Sequence, residues 1–431
     1  MNQDKDRSKK VVALSFLFGA MMFSFMIRFA LGVVAPTLMK IYNISPATMG
    51  YILSGWNWSY TGSLLFAGPI VDRVGPWMAM GVGSAIWGLS TAVLPILATA
   101  GVSLFLMRMI FGLGQGILLP STATSVSRLF GAKERTRAIS VAFSGNVLGL
   151  AASGAISAFI LSRLGWEAVF YCLGGGSLLL TLAWFYFYPD KRIGRHAAEP
   201  NRGEAGDHQR VPWLSLFHYR STWGIAFGQM GYLYAYFFFV SWLPGYLVLE
   251  RGMTALRSGL VSSLLFGMGM LGTLAGGWLG DYLIQRGVSP TVSRKSIIGI
   301  GLSGATVLVI AAAYISQAWL AVALLTVCVG SLRLATGPAN SLPIDLAPRS
   351  VVGSLTSIQN FFGNVGGLLA PIVTGYIVQS TGSFVGSLVV AGGMALFGAI
   401  SYVFIMGNLE THRIEPTIPA AAVPLSPSRA L

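Results

Sequence analysis

Charge is scarce in this chain: 10% of its 431 residues are Asp, Glu, Lys or Arg, against 54% hydrophobic. Soluble domains carry about a quarter charged residues, so an ordinary water-soluble fold is excluded. Acid is scarcer still. All 14 Asp and Glu fall in candidate loops, tails or the ends of apolar runs, which leaves no carboxylate at membrane depth to carry a proton or to serve a reaction. The two cysteines, Cys172 and Cys328, each lie inside an apolar run and imply neither a disulfide framework nor a metal site. The four histidines, His196, His208, His218 and His412, lie in polar stretches and form no metal or catalytic pair. No enzyme chemistry, metal or cofactor is expected.

What the chain has instead is length in apolar runs. A membrane-crossing helix takes about 20 apolar residues. Twelve runs qualify, at 11–36, 49–71, 77–99, 103–129, 137–161, 167–188, 222–249, 256–281, 295–316, 318–342, 351–378 and 384–406. The expected fold is an all-α polytopic membrane protein of twelve transmembrane helices. The one long polar stretch, 189–220, reads as a cytoplasmic linker between two six-helix bundles, 1–188 and 221–408. Residues 409–431, rich in Pro, Ala and Ser, read as a disordered cytoplasmic tail. The run behind the basic start MNQDKDRSKK is too long for a cleaved signal.

A net charge of +14 invites a nucleic-acid reading, but the distribution of basic residues opposes it. Of 28 Lys and Arg, four (Lys40, Arg163, Arg251, Arg257) fall in loops on one side, three (Arg28, Arg108, Arg333) fall inside spans, and the rest lie on the side of the N-terminus. By the positive-inside rule both termini are cytoplasmic, and a multi-pass protein of the cell inner membrane, monomeric, is expected.

The three interior arginines carry the functional reading. Arg28 sits in Phe23-Ser-Phe-Met-Ile-Arg28-Phe-Ala-Leu-Gly-Val-Val-Ala-Pro36. A guanidinium stays protonated, and near a bilayer centre it costs a few kcal/mol or more unless paired or hydrated. It either holds an anion in a water-accessible cavity or reaches for the outer interface. Arg108, nearer the outer end of its span, poses the same alternative. Arg333, in a run broken by Gly330 and Gly337-Pro338, is either held by the carbonyls such a break exposes or stands as a second anion clamp. Gln115 near the middle of span four either faces the cavity or bonds a neighbouring helix. The aromatics Tyr232, Tyr234 and Tyr236 to Phe239 cover every face of span seven, so most read as packing or interface belt, with one or two at a gate. Two Gly-x-x-x-Asp elements, Gly68 to Asp72 followed by Arg73, and Gly277 to Asp281, sit at equivalent cytoplasmic helix ends and read as paired gate latches. Asp345 reads as a further gate or capping acid.

These motifs resemble the major facilitator superfamily. Gly68-x-x-x-Asp72-Arg73-x-Gly75 is similar to its signature between helices 2 and 3, with Pro76 or Trp77 where a basic residue usually closes it. Arg108-Met-Ile-Phe-Gly112-Leu-Gly114-Gln115-Gly116 is similar to its helix 4 motif. Gly228-Gln229, Trp242-Leu-Pro244, Glu250-Arg-Gly-Met253, Gly276 to Asp281 and Phe362-Gly363-Asn364 to Pro371 resemble the anion:cation symporter family, whose bacterial members carry sugar acids and other organic anions. The resemblance implies that Arg28, Tyr60, Asn146, Ser341 and Asn364 line a central cavity. It also exposes departures: Ile27 stands where the family has Asp, Gln115 where it has Glu, Phe25 where it has Tyr and Thr124 where it has a later Arg. The two lost acids are the family's expected proton carriers.

The expectation is a secondary carrier that imports a small organic anion (a carboxylate, sugar acid or sulfonate) by alternating access. Its substrate-binding residues are Arg28, Tyr60, Arg108, Gln115, Asn146, Arg333, Ser341 and Asn364; Asp72, Arg73 and Asp281 gate it. H+ or Na+ is the expected coupling ion, and an organic-anion exchanger or facilitator is the alternative. A transporter-like sensor is the more distant one.

Overall fold

A computed structural model describes residues 2–97, 100–190, 213–347 and 351–409. Its α-helices are α1 (Asn2–Ile41), α2 (Pro46–Val74), α3 (Pro76–Leu97), α4 (Gly101–Gln115), α5 (Leu118–Leu129), α6 (Ala132–Leu164), α7 (Trp166–Phe187), α8 (Arg220–Leu249), α9 (Ala255–Gln285), α10 (Pro290–Tyr314), α11 (Ala318–Leu334), α12 (Thr336–Leu346), α13 (Val352–Thr381) and α14 (Val385–Ile400), the last continued by a π-helical turn, Ser401–Ile405. The pairs α4/α5 and α11/α12 run on as single spans, Gly101–Leu129 and Ala318–Leu346. Fourteen helices therefore make twelve columns, of which eleven are long and apolar enough to cross a membrane. The remaining one, α2, has 29 residues but carries Trp56-Asn57-Trp58-Ser59-Tyr60 at its middle. Most of the expected linker and tail lies outside the described residues; a short 3-10 turn, Trp213–His218, leads into α8. The first helix begins at Asn2 rather than 11. Lys10 ties it to the start of α6 through Glu134 at 2.7 Å, an exposed pair in which the ammonium holds the carboxyl below its ordinary value.

Local chemistry sets the helix starts. Ser45, Thr254 and Ser289 each cap a helix by accepting the N–H three residues on, and Pro46 and Pro290 follow at the first helical position, where a missing N–H costs nothing. Gly75 and Gly165 turn the chain at φ 85° and 91°, a region closed to most side chains.

The first six columns pair as α1 on α6, α2 on α4, α3 on α7 and α3 on α4; the last six repeat this as α8 on α13, α9 on α11, α10 on α14 and α10 on α11. The two sets meet along three seams: α2 with α13, α6 with α9, and α1 with α8. The seams close at the end of the molecule that holds the α1–α2 and α8–α9 turns. There the Ala47 N–H donates to Gln379 Oε1 at 3.2 Å, the phenols of Tyr51 and Tyr376 lie 3.3 Å apart, and the Ala155 N–H donates to Ser263 Oγ at 2.8 Å. Glycines make the contact: a Cβ on Gly50 would strike the Pro371 carbonyl, one on Gly375 the Pro46 carbonyl, and one on Gly154 the Gly259 carbonyl. At the opposite end Asp72, Arg73 and Gly353 are exposed, and Gly68 and Gly353 have open space where a Cβ would be. Among the described residues, the hydrogen bonds and glycine contacts named here join the two sets at the first of these ends and none joins them at the second.

Replacing Gly50 with Val places a side chain where the Pro371 carbonyl sits and forces α2 away from α13. Spin labels on the exposed Thr48 and Ser380 should then report a longer, broader distance distribution than in the parent. An unchanged distribution would refute backbone contact as the closing element.

Candidate functional site

Residues 26–27 and 29–35 of α1 are buried, yet Arg28 between them is only half-buried. Its guanidinium faces three rings, Trp56 at 4.2 Å, Phe25 at 4.5 Å and Tyr60 at 5.1 Å, measured to ring centroids. Trp56 and Tyr60 come from the polar middle of α2, so that segment is where it is in order to face α1. The close packing is again built on glycine. A Cβ on Gly112 of α4 would meet the Trp56 carbonyl, and one on Gly116 would meet Ser63 Oγ, so α4 lies backbone-to-backbone on α2.

Gln115, at the end of α4, is fully buried and both ends of its amide are engaged. Its Oε1 accepts from Arg28 Nε at 2.6 Å, while its Nε2 donates to the Ser24 carbonyl at 3.2 Å and Ser24 Oγ at 2.7 Å. Arginine only donates, so the amide orientation is fixed by its partners. Ser24 lies one turn before Arg28 on the same helix. Gln115 is therefore a brace that sets the guanidinium plane, with its polar atoms already spent on protein.

Arg108, two helical turns before Gln115 on the same face of α4, is 2% exposed. Its guanidinium lies 4.7 Å from the Phe111 ring, its Nε is buried without a hydrogen-bond partner, and it stands within electrostatic reach of Arg28. Arg333, in the last turn of α11 where that span breaks, donates to the Tyr232 hydroxyl at 3.1 Å and lies 4.9 Å from the Tyr236 ring. The Tyr232 hydroxyl also meets Thr336 Oγ1 at 2.8 Å. Tyr236 feels both Arg28 and Arg333, so the cationic region spans both sets of columns.

Among the described residues no carboxylate pairs with Arg28, Arg108 or Arg333; the ion pairs lie at the helix ends, Lys10–Glu134, Arg128–Asp190 and Arg294 with Asp281 and Asp345. Nor do the three bond helix carbonyls, as structural arginines here do. Arg251 donates to the carbonyls of Ser316 and Ala312, Arg135 to those of Phe130 and Ser127, and Arg220 to that of Phe404. Arginines that cap helix ends thus stand apart from these three, which among the described residues are held by rings, the Gln115 amide and the Tyr232 hydroxyl.

The other expected residues scatter. Asn146 on α6 is half-buried, with a buried Oδ1 that has no partner. Ser341 donates to the Pro338 carbonyl at 2.8 Å and Asn364 to the Asn360 carbonyl at 2.9 Å, each within its own helix, and neither touches the arginine cluster. The Asn364 backbone carbonyl instead receives Asn57 Nδ2 at 2.9 Å, a bond across the α2–α13 seam. Asp72 and Arg73 are exposed, whereas Asp281 shares Arg294 with Asp345 at 3.8 and 3.3 Å. Of the alternatives for the α8 aromatics, burial of Tyr232, Tyr234, Tyr236 and Phe237 to Phe239 favours interior packing over an interface belt, and Tyr232 and Tyr236 also face Arg333. Sequence reasoning missed Trp56, Ser24 and Thr336. The first had a signal: Trp56 belongs to the stretch that makes α2 too polar for an ordinary span.

With that geometry in hand, comparison places the chain among known proteins. The family model described as Major Facilitator Superfamily matches residues 17–370. A D-galactonate transporter of Escherichia coli O6:H1 is 29% identical over 429 residues, covering 95% of this chain and 98% of that protein. A probable galactarate/D-glucarate transporter of Escherichia coli K12 is 28% identical over 429 residues, covering 93% and 94%. Among solved structures, a bacterial homologue of the human lysosomal transporter Spinster, inward-facing and unoccupied, superposes with a TM-score of 0.81 at 16% identity, covering 95% of this chain and 99% of that one.

The brace makes a specific prediction. In Gln115→Glu the new carboxylate would pair with Arg28 and turn a lone pair toward the Ser24 carbonyl, so anion affinity should fall at least about tenfold at pH 7.5, the worth of one charge-assisted hydrogen bond. Protonation restores a neutral side chain, so affinity in the variant should rise as pH falls, while the parent stays flat with the same ligand. A flat profile in the variant, read by equilibrium binding, would remove Gln115 from control of Arg28. Arg28→Lys, which keeps charge but loses the planar fork, should weaken binding by about ten- to a hundredfold.

Proposed function

The chain belongs to the Major Facilitator Superfamily, a family of membrane transporters rather than enzymes, and we propose that it carries a small organic anion by alternating access through a site centred on Arg28. One observation carries this reading: among the described residues, the three guanidiniums inside the helix bundle have no carboxylate beside them. The missing charge is supplied by cargo. The transporters it resembles are named for galactonate and for galactarate or glucarate, all sugar acids, which supports a hydroxylated carboxylate or a similar sulfonate. Arg28 offers the ligand the fork that Gln115 holds in place, and Tyr60, its hydroxyl within reach of Arg28, shares the contact. Asn146 Oδ1 accepts from a ligand hydroxyl. Ser341 and Asn364 line the pathway.

The proposed direction is import across a bacterial inner membrane, between bundles 1–188 and 221–408. Lys and Arg counts favour both termini in the cytoplasm, an orientation in which the end without bonds between the two sets faces inward. Asp281, bridged through Arg294 to Asp345, and Asp72 with Arg73 act as the latches of that end. Cation coupling, to H+ or Na+, is proposed because a nutrient carrier must accumulate its cargo: one uncompensated negative charge entering against 100 mV costs about 2.3 kcal/mol. A second reading, anion exchange, has its own support, since Ile27 and Gln115 do not titrate and no described carboxylate lies beside the arginines.

Proteoliposomes separate these readings. Uptake of labelled galactonate, galactarate or sulfoacetate is expected, abolished in Arg28→Ala. Accumulation driven by an imposed pH or Na+ gradient means cation coupling, and uptake that requires internal anion means exchange. No uptake of any such anion would overturn the proposal.

A further inference from the structure

Arg28 and Arg108 belong to the first six columns and Arg333 to the last six, and Tyr236 lies within the field of Arg28 and against the guanidinium of Arg333. A monoanion seated on Arg28 leaves Arg333 with only a hydroxyl and a ring face. We propose that Arg333, Tyr232 and Thr336 form a second anion subsite, and that the substrate is a dianion whose two charged ends bridge the two sets of columns. This rests on the reading that the protein carries small organic anions and narrows it to dicarboxylates and sulfonate–carboxylates.

The local chemistry fits an acceptor-rich ligand end. Arg333 can only donate, so the Tyr232 oxygen is the acceptor in their 3.1 Å bond, and the phenol keeps its own proton for Thr336 or for a ligand oxygen. Arg333 is half-buried and bonds no helix carbonyl, although the break between α11 and α12 lies beside it. A structural arginine at such a break would cap the loosened carbonyls, as Arg251 does at the end of α10. Instead its fork is held at the interior by one hydroxyl and by Tyr236, which stacks parallel to Tyr232 at 6.3 Å. Arg108, nine-tenths buried with Nε unpartnered and next to Arg28, adds a charge at the other end. Two cations at one pole and one at the other, with no described acid paired to any of them, match a ligand that is anionic at both ends.

The test compares galactarate with galactonate, two hydroxylated six-carbon chains that differ by one terminal carboxylate. Binding is read by calorimetry on the purified full-length protein. The parent should bind galactarate at least about tenfold more tightly, one charge-assisted contact's worth. Arg333→Gln should erase that preference, costing galactarate at least about tenfold more affinity than it costs galactonate, and Arg333→Lys should restore part of it. Tyr232→Phe, a smaller change that keeps the test alive if Arg333→Gln fails to fold, should lower galactarate affinity selectively. Sulfoacetate against acetate repeats the comparison with a shorter ligand. Equal affinity for the dianion and monoanion of both pairs, or equal losses in the variants, would overturn the bridging dianion yet leave organic-anion transport standing. Binding of none of the four would overturn both.

Discussion

Three positive charges that cannot be neutralised by losing a proton occupy the interior of an apolar helix bundle, and the rest of the structure answers to them. Moving an ion away from water costs several kcal/mol even after relaxation. A ring under a guanidinium returns about 0.5–2 kcal/mol, more as the site dries. Arg28 has three such rings and a braced Nε; Arg108 and Arg333 have one ring each. One ring falls short of that cost for Arg108, and Arg333 adds only the Tyr232 hydroxyl; in the proposed reading an arriving anion makes up the difference. A carboxylate at 27 or 115 would have closed the account internally and left less for cargo to contribute.

The fold makes this arrangement possible through backbone proximity. Gly112 and Gly116 let α4 lie on α2, which fixes Trp56 and Tyr60 against α1 and carries Gln115 to Ser24. The bulky residues are concentrated in α8, which is enclosed on nearly every side and delivers Tyr232 and Tyr236 to Arg333. Small residues thus set where helices meet, and aromatic ones set what the interior presents.

Spans were legible because twenty-residue apolar runs have few other uses, and the observed helices overlap all twelve expected runs. The exception is informative: α2 was expected as a span like the rest, but its middle is too polar for one by composition alone, and that polarity belongs to the site. The interior arginines were legible as charges out of place. Their surroundings were not. Nothing in the spacing of Arg108 and Gln115 says that the amide reaches Ser24 on another helix, and nothing in Asp345 announces Arg294, 51 residues away. Ser341 and Asn364 show the opposite failure. Position alone made them candidates, yet a hydroxyl or amide on a helix readily donates to the carbonyl three or four residues back, and both do.

Part of each seam between the two sets of columns is a carbonyl set against a glycine, at Gly50, Gly375, Gly154 and Gly32, beside side-chain contacts such as Phe29 with Phe266 and Trp56 with Phe237. Interlocked side chains must change rotamers before two surfaces part, so separation waits on many correlated rearrangements. Two smooth backbone faces slide or lift apart as rigid bodies, and the hydrogen bonds between them, such as that of Ala155 with Ser263, exchange for water one at a time. Where glycine meets carbonyl, parting the closed end waits on solvent entry more than on repacking. For a machine that must open the same joint at every turnover, smoothness is a kinetic specification written in glycine.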